Sequence, residues 1–463
     1  MWIGQVDMVD RGTKGRRGDV LMSLRRWRAV QGSLVVVGLV ACVFAARPAV
    51  ADFSAGAAVR SITPEKPLPV SGGMGVPNPS TKALGQLTAR VAVVKQGDTC
   101  VAFVGLDLLG FPSVLGDRVR RMVSEIPAEN VLIGSTHTHS APDCYAFPLP
   151  QMPQGHTADL AYVDFVVRQT ADAIKAAYKS LEPATLKVST DEAAERIAYN
   201  YYAPALYDRR MDVLQACDAN GEPIFTLVNY AIHPEVLGAG QGVMSPDCIG
   251  PMAEKIEAKV GGVAVFMNGA QGGMVTADNR LLDTPSNPVT ANWEDANTWE
   301  ECERIGSLMA DEALRIIGTA DVQPNPAVTC ARRVVSIPVE SEELWAVVQF
   351  SPLNYPRDTE TRTVPVSINL VNLGTAQIAT IPGEALPNIG FYLKRKMRGE
   401  HNLLFGLTND AFGYILTKVD YQSFPRYDYI SRVCTGEMTG EILIEEILEM
   451  VEESPSPSVK NPE

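Results

Sequence analysis

The chain has 463 residues, 46% of them hydrophobic, with 40 basic and 54 acidic side chains, a net charge of −14 and only five histidines. Its first 51 residues hold eight of the basic and three of the acidic groups, so residues 52–463 carry a net −19, which excludes the basic footprint of a nucleic-acid-binding protein. Segment 1–51 reads as a targeting sequence: Arg25, Arg26 and Arg28 precede an apolar run, and Ala49-Val50-Ala51 forms a small-residue cleavage site. That run is too short to span a bilayer, and none of ~18 apolar residues follows, so export as a soluble protein, periplasmic or extracellular, is expected. The apolar run continues past Cys42, which argues against lipid attachment there. The other seven cysteines have no C-x-x-C pairing and do not form the pattern of a disulfide framework or thiolate metal site, although a disulfide involving Cys144 stays open. In chain order, hydrophobic periodicity predicts strands at 90–94 and 100–106, a helix at 114–123, and a strand running into His137. A long amphipathic helix follows at 159–181. A hairpin spans 211–217 and 224–232 around Asp218-Ala219-Asn220-Gly221, where Asn-Gly supplies the positive φ angles of a tight turn. Then come a helix at 250–260, a strand at 262–267, a helix at 292–317, and strands at 330–338, 364–373 and 377–381. The series closes with a helix at 386–397, a strand at 403–407 and a helix at 436–451. No internal repeat is evident, and Ser454–Glu463 has the composition of a disordered tail. The alternation indicates an α/β fold of layered mixed β-sheets flanked by helices, in one domain over 52–453.

Four of these strands end in residues that carry chemistry. His137 and His139 follow the first, in Gly134-Ser135-Thr136-His137-Thr138-His139-Ser140-Ala141-Pro142. Residues i and i+2 of a strand face the same way, so both imidazoles project together as two zinc ligands or as one ligand and one catalytic base. His233 ends the second, where Pro234 forces a turn. Glu235 beside it reads more simply as a solvated loop carboxylate than as a general base. Glu384 follows the third strand, as a metal ligand or as an acidic residue at a helix start. Asn409-Asp410-Ala411-Phe412-Gly413-Tyr414 follows the fourth. Strand ends are where α/β proteins place their ligands. His156 and His401, in polar loops, are expected at the surface. The run Gly269–Gly273 lacks the Gly-Lys-Ser/Thr of a nucleotide loop.

These motifs, in this order, resemble the catalytic domain of the neutral, non-lysosomal ceramidases, zinc amidases that cleave the N-acyl bond of ceramide. The resemblance is carried by Ile62-Thr63-Pro64, Gly72-Gly73, Gly134 to Pro142, Tyr230 to Pro234, Phe266 to Gly269, Ile381 to Glu384, and Leu407 to Tyr414 with Asp420-Tyr421. It implies one zinc ion held by His137, His233, Glu384 and Tyr414, with Tyr421 the second choice for the tyrosine. His139 would assist at the substrate amide. The implied partner is a lipid-like N-acyl substrate met through peripheral membrane contact, with no obligate protein partner. One departure bears on the chemistry. The family's active-site serine, in a Gly-Asp-x-Ser-Pro stretch, falls at Gly273 in Asn268-Gly269-Ala270-Gln271-Gly272-Gly273-Met274. Losing that hydroxyl removes a transition-state donor worth about 3–4 kcal/mol by analogy with oxyanion-hole deletions. The backbone N–H groups of Gly272 and Gly273, or the hydroxyls of Thr276 and Ser245, are the candidate substitutes. The resemblance also lacks the family's immunoglobulin-like C-terminal domain. These departures leave two alternatives: a zinc hydrolase of another amide or ester, and a metal- or lipid-binding relative without turnover.

Overall fold

A computed structural model describes residues 53–287 and 292–459, so the expectations for 1–51 and for 460–463 lie outside the described residues. Three sheets share one plan. The first contains β1 (Phe53–Ser61), β2 (Thr88–Gln96), β3 (Thr99–Leu106) and, after helix α1 (Ser113–Arg121), β4 (Val131–Ser135). The second contains β5 (Thr185–Glu192), β6 (Arg210–Cys217), β7 (Pro223–Tyr230) and, after α3 (Ile249–Val260), β8 (Val263–Asn268). The third contains β9 (Val328–Pro338), β10 (Thr363–Leu373), β11 (Ala376–Thr380) and, after α6 (Pro387–Lys396), β12 (His401–Phe405). In each, three strands meander antiparallel and a helical crossover adds a fourth strand parallel to the third. This is a structural repeat where the sequence shows none: hydrogen-bond topology recurs without residue identity.

Burial explains the strand composition. β4 is buried at all five positions, and β11 at all five, as expected of strands covered on both faces. A central apolar cluster draws Phe103 and Leu132 from the first sheet, Phe225 and Met267 from the second, and Ile378 and Phe405 from the third. The outer faces are covered by helices. α2 (Leu160–Lys179) lies across β1 and β2, with Asp159 Oδ1 capping it through the N–H groups of Ala161 and Tyr162. α4 (Trp299–Ile317) packs on α3 and β6, α5 (Glu342–Phe350) follows β9, and α7 (Thr439–Glu453) packs against α6 and β9. No helix among the described residues is long and apolar enough to cross a membrane.

Several sequence expectations need correction. The helix predicted at 292–317 starts at Trp299; residues 292–295 form a short strand, and the Thr298 hydroxyl caps the helix through Glu301 N–H. Residues 454–459 lie against the third sheet. Ser458 O accepts from Ala327 N–H, and Asn372 Nδ2 donates to Ser454 Oγ and Pro455 O. His401 is half-buried, with Nδ1 3.0 Å from Thr190 Oγ1, rather than at the surface. The seven described cysteines, Cys144 among them, are unpaired.

Candidate metal centre

The C-terminal ends of the three parallel strand pairs meet at one place. β4 leads to His137 and His139, β7 to His233, β11 to Glu384, and β12 to Asp410 and Tyr414. The fifth such end, β8, supplies a clamp. Asn268 is fully buried, and its Nδ2 donates to Thr136 O at 3.0 Å and to Ile232 O at 2.8 Å. Its Oδ1 accepts from Ile232 N–H at 3.2 Å and Gly269 N–H at 2.9 Å. One amide thus fixes the carbonyls just before His137 and just before His233, joining the first and second sheets. His139 N–H donates to Pro234 O at 3.2 Å, which ties the two turns again.

The histidine pair is not set by strand alternation. β4 ends at Ser135, and His137 adopts a left-handed φ of 73°, with its N–H bonded to Leu108 O. The rings of His137 and His139 meet edge to face at 4.9 Å, and His233 joins them at 4.7 Å from His137 and 5.7 Å from His139. One ring nitrogen from each of the three lies within 4.8 Å of the other two, an arrangement that fits a metal ion.

Tautomers sharpen this. His137 Nδ1 is 2.6 Å from Leu109 O and His233 Nδ1 is 2.9 Å from Val275 O. A carbonyl only accepts, so each Nδ1 carries its hydrogen and each neutral Nε2 presents a lone pair. Glu384 Oε2 nevertheless lies 3.5 Å from His137 Nε2 and 3.0 Å from His233 Nε2. Three acceptors converge in a buried place, an arrangement that calls for a cation between them. Two donors each about 2.1 Å from a tetrahedral zinc lie roughly 3.4 Å apart, so the spacing suits that ion. Burial opposes a charged His233, but the Glu384 carboxylate outweighs burial and raises its pKa. His137 moves the other way, to about 3, because burial outweighs the attraction of Glu384. Glu384 itself is disfavoured as an anion by burial, yet His137 and His233 pull its pKa below the ordinary carboxylate value.

His139 has a different environment. Its Nδ1 is 3.2 Å from Glu235 Oε2, and its buried Nε2 has no hydrogen-bond partner. Burial, with His233 alongside, pushes its pKa down to about 3. Glu235, read from sequence as a solvated carboxylate, is therefore a partner of His139; a lone loop Glu carries no signal of a histidine 96 positions away. Two donor sets overlap here. Both contain His137 and His233, and they differ in whether Glu384 or His139 completes them.

Tyr414 stands beside Glu384, since the two residues are paired in a short parallel bridge, but its hydroxyl lies 3.1 Å from Met274 Sδ. Burial, then Glu384, pushes its pKa well up, so the phenol is neutral. Tyr421 is half-buried and outside the cavity lining. Gly272 is explained by packing. Its N–H donates to Ala385 O at 2.9 Å, and a Cβ there would stand 2.1 Å from Glu384 O. That N–H is spent on the strand bearing Glu384, which corrects its candidacy as an oxyanion donor. Gly273 has φ 69° and faces Leu386, and neither glycine lines the cavity. Of the candidate hydroxyls, Ser245 Oγ accepts from Asp247 N–H at 3.0 Å, and Thr276 pairs through its backbone with Tyr199. Gly272→Ala should therefore cost at least about 3 kcal/mol, because the collision is with backbone. A urea-denaturation midpoint equal to that of the parent would contradict this.

A cavity opens beside the histidines, lined by His137, His139, Glu384 and Tyr414 together with Tyr145, Phe147, Tyr355, Asp410 and Phe412. Sequence reasoning missed Tyr145 and Tyr355, which arrive from loops without a motif.

No protein-family model matches the chain, and no curated protein matches it in sequence. Solved structures do match in shape. Neutral ceramidase from Pseudomonas aeruginosa aligns over 89% of this chain and 76% of its own, with a TM-score of 0.70 and 17% identity. A ceramidase complexed with C2 aligns over 89% and 77%, with a TM-score of 0.68 and 17% identity. The chain thus has the fold of the neutral ceramidases.

Proposed function

We propose that the chain is an exported, zinc-dependent hydrolase that cleaves the N-acyl amide bond of ceramide or a related N-acyl lipid. The observation that carries this reading is the convergence of His137 Nε2, His233 Nε2 and Glu384 Oε2 in one buried place, with each histidine Nδ1 held by a backbone carbonyl. Bound zinc would supply a Lewis acid able to lower the pKa of water to about 7 and to polarise a carbonyl. His137, His233 and Glu384 would hold it, with Tyr414 at the edge of the same pocket. His139 is arranged to move the proton: Glu235 fixes its Nδ1–H, which leaves Nε2 free to accept from the attacking water and to return the proton to the leaving amine. The aromatic cavity excludes water and receives the apolar part of the substrate. The exposed Met74 and Tyr429 at its lining suit contact with a lipid surface. The glycine at position 273 favours a second reading for the substrate alone, another amide or ester.

The purified protein should carry about one zinc per chain, and His233→Ala should lose it. Full metal content in that variant would refute the ligand assignment. A fluorescent N-acyl sphingosine tested beside short N-acyl amides separates ceramide from a smaller substrate. Stoichiometric zinc without turnover of any member would leave only a binding role.

A further inference from the structure

The cavity beside the histidines is chemically one-sided. Among the described residues it is lined by two carboxylates, Glu384 and Asp410, by His137 and His139, and by six tyrosine and phenylalanine rings, with no lysine or arginine. Asp410 is 1% exposed; its Oδ1 accepts from Ala411 N–H at 2.9 Å, and its Oδ2 has no hydrogen-bond partner. Burial pushes the Asp410 carboxyl up to about 6, although the hydroxyl and N–H of Ser113, at the head of α1, and the N–H of Ala411 oppose the rise; none of them reaches hydrogen-bond geometry at Oδ2. The buried Arg120 is committed elsewhere, to Asp117, Val131 O and Asn409 Oδ1, and acts on Asp410 only through space. An unpaired carboxylate in such a place is costly unless a ligand supplies the missing charge or donor.

The walls around it suit a cation. Tyr145 and Phe147 stack at 4.7 Å and 14°, and Tyr355 meets Phe412 at 6.2 Å. The Tyr355 hydroxyl donates to Tyr145 O at 3.2 Å, which joins the two aromatic pairs. Tyr145 feels both carboxylates: after burial, Glu384, Asp143 and Asp410 hold its phenol neutral. Aromatic faces attract organic cations, and more strongly where water is excluded.

We propose that this cavity recognises an organic ammonium, so that the substrate is an N-acyl amide bearing a second, protonated amine that pairs with Asp410 Oδ2 against the aromatic wall. Only the word substrate rests on the hydrolase reading; the ammonium site rests on the cavity itself. The probes are benzylammonium and its neutral counterpart benzyl alcohol, titrated calorimetrically into the zinc-loaded protein at pH 7. Benzylammonium should bind at least about tenfold tighter, and Asp410→Asn should abolish that preference. Equal binding of the alcohol, or a preference that survives Asp410→Asn, overturns the proposal. If Asp410→Asn fails to fold by circular dichroism, Phe412→Leu trims the wall and should weaken the ammonium several-fold more than the alcohol; an equal loss for both overturns it. Hydrolysis of amine-bearing N-acyl amides that is no faster than that of neutral ones, and equally indifferent to Asp410→Asn, removes the amine from the substrate and keeps the hydrolase. No turnover of any amide, with the preference intact, removes the hydrolase and keeps the site.

Discussion

Glu384→Gln should lower zinc affinity by more than about a hundredfold and abolish hydrolysis, whereas His139→Gln should keep the zinc and lose about 10²–10⁴ in rate. The two variants separate the overlapping donor sets. His137 and His233 belong to both, but only Glu384 lies against their two lone pairs, at 3.5 and 3.0 Å. A glutamine there removes the charge while keeping the volume, and it can turn an N–H toward one Nε2, which satisfies the histidine and closes the site to a cation. His139 instead has its Nδ1 held by Glu235 at 3.2 Å, with an unpartnered Nε2. That is the arrangement of a group that exchanges a proton, and losing such a group costs rate rather than metal. Metal analysis of each purified variant, read beside its rate on an N-acyl amide, gives the answer. The reverse pattern, zinc lost with His139→Gln and kept with Glu384→Gln, would make the centre a three-histidine site and leave Glu384 as its base.

The strand ends that build this centre were legible because each carries a rare residue after an apolar run: His137 after Val131–Ser135, His233 before Pro234, Glu384 after Pro382-Gly383. Strand alternation is not what brings His137 and His139 together. Alternation along a strand would have placed both rings on one face, but the strand has already ended and a left-handed residue held by Leu108 O turns the chain. Asn268 looked like one motif residue among several, although its amide locks both histidine turns. Its role depends on two carbonyls 132 and 36 positions away, which no local pattern encodes. The strand at Thr185–Glu192 went unrecognised because only Leu186 and Val188 among its residues are buried. Phe53–Ser61 escaped notice because its small residues carry little hydrophobic contrast. The threefold plan of the sheets was invisible for a deeper reason: it is a pattern of hydrogen bonds, and different side chains fill each copy.

Lys394→Ala should destabilise the fold by about 3–5 kcal/mol, the usual cost of leaving a buried charge without its partner. Lys394 belongs to α6, yet its Nζ reaches the second sheet, 2.8 Å from Asp212 Oδ2 and 3.1 Å from Asp208 Oδ2. Asp212 is fully buried and otherwise holds only the Thr190 hydroxyl by its side chain, so alanine strands an anion in the interior. Asp208 keeps Arg210. The lysine therefore binds the crossover helix that follows Glu384 to the sheet that carries His233, and its loss should loosen the centre as well as the fold. Asp212→Asn added to Lys394→Met removes both charges and should restore most of the stability, since the cost lies in the uncompensated ion. The pH dependence tests the same account. Burial opposes ionisation of Asp208, but Lys394 and Arg210 outweigh it and hold its pKa at about 2. Because that value lies below the unfolded one of about 3.9, Asp208 contributes its stability above the unfolded pKa and loses it as pH falls toward 2. Without Lys394 the folded value rises, less stability is gained on ionisation, and the stability curve flattens on its acid side. The burial penalty at Lys394 is likewise outweighed by Asp212 and Asp208, which raise its pKa, so its own contribution is full below about 10.4 and fades only as pH climbs through the folded value. Urea midpoints for Lys394→Ala should thus lie below those of the parent throughout the neutral range, with the gap narrowing at both extremes. A constant offset from pH 3 to pH 11 would mean that the lysine acts through packing alone.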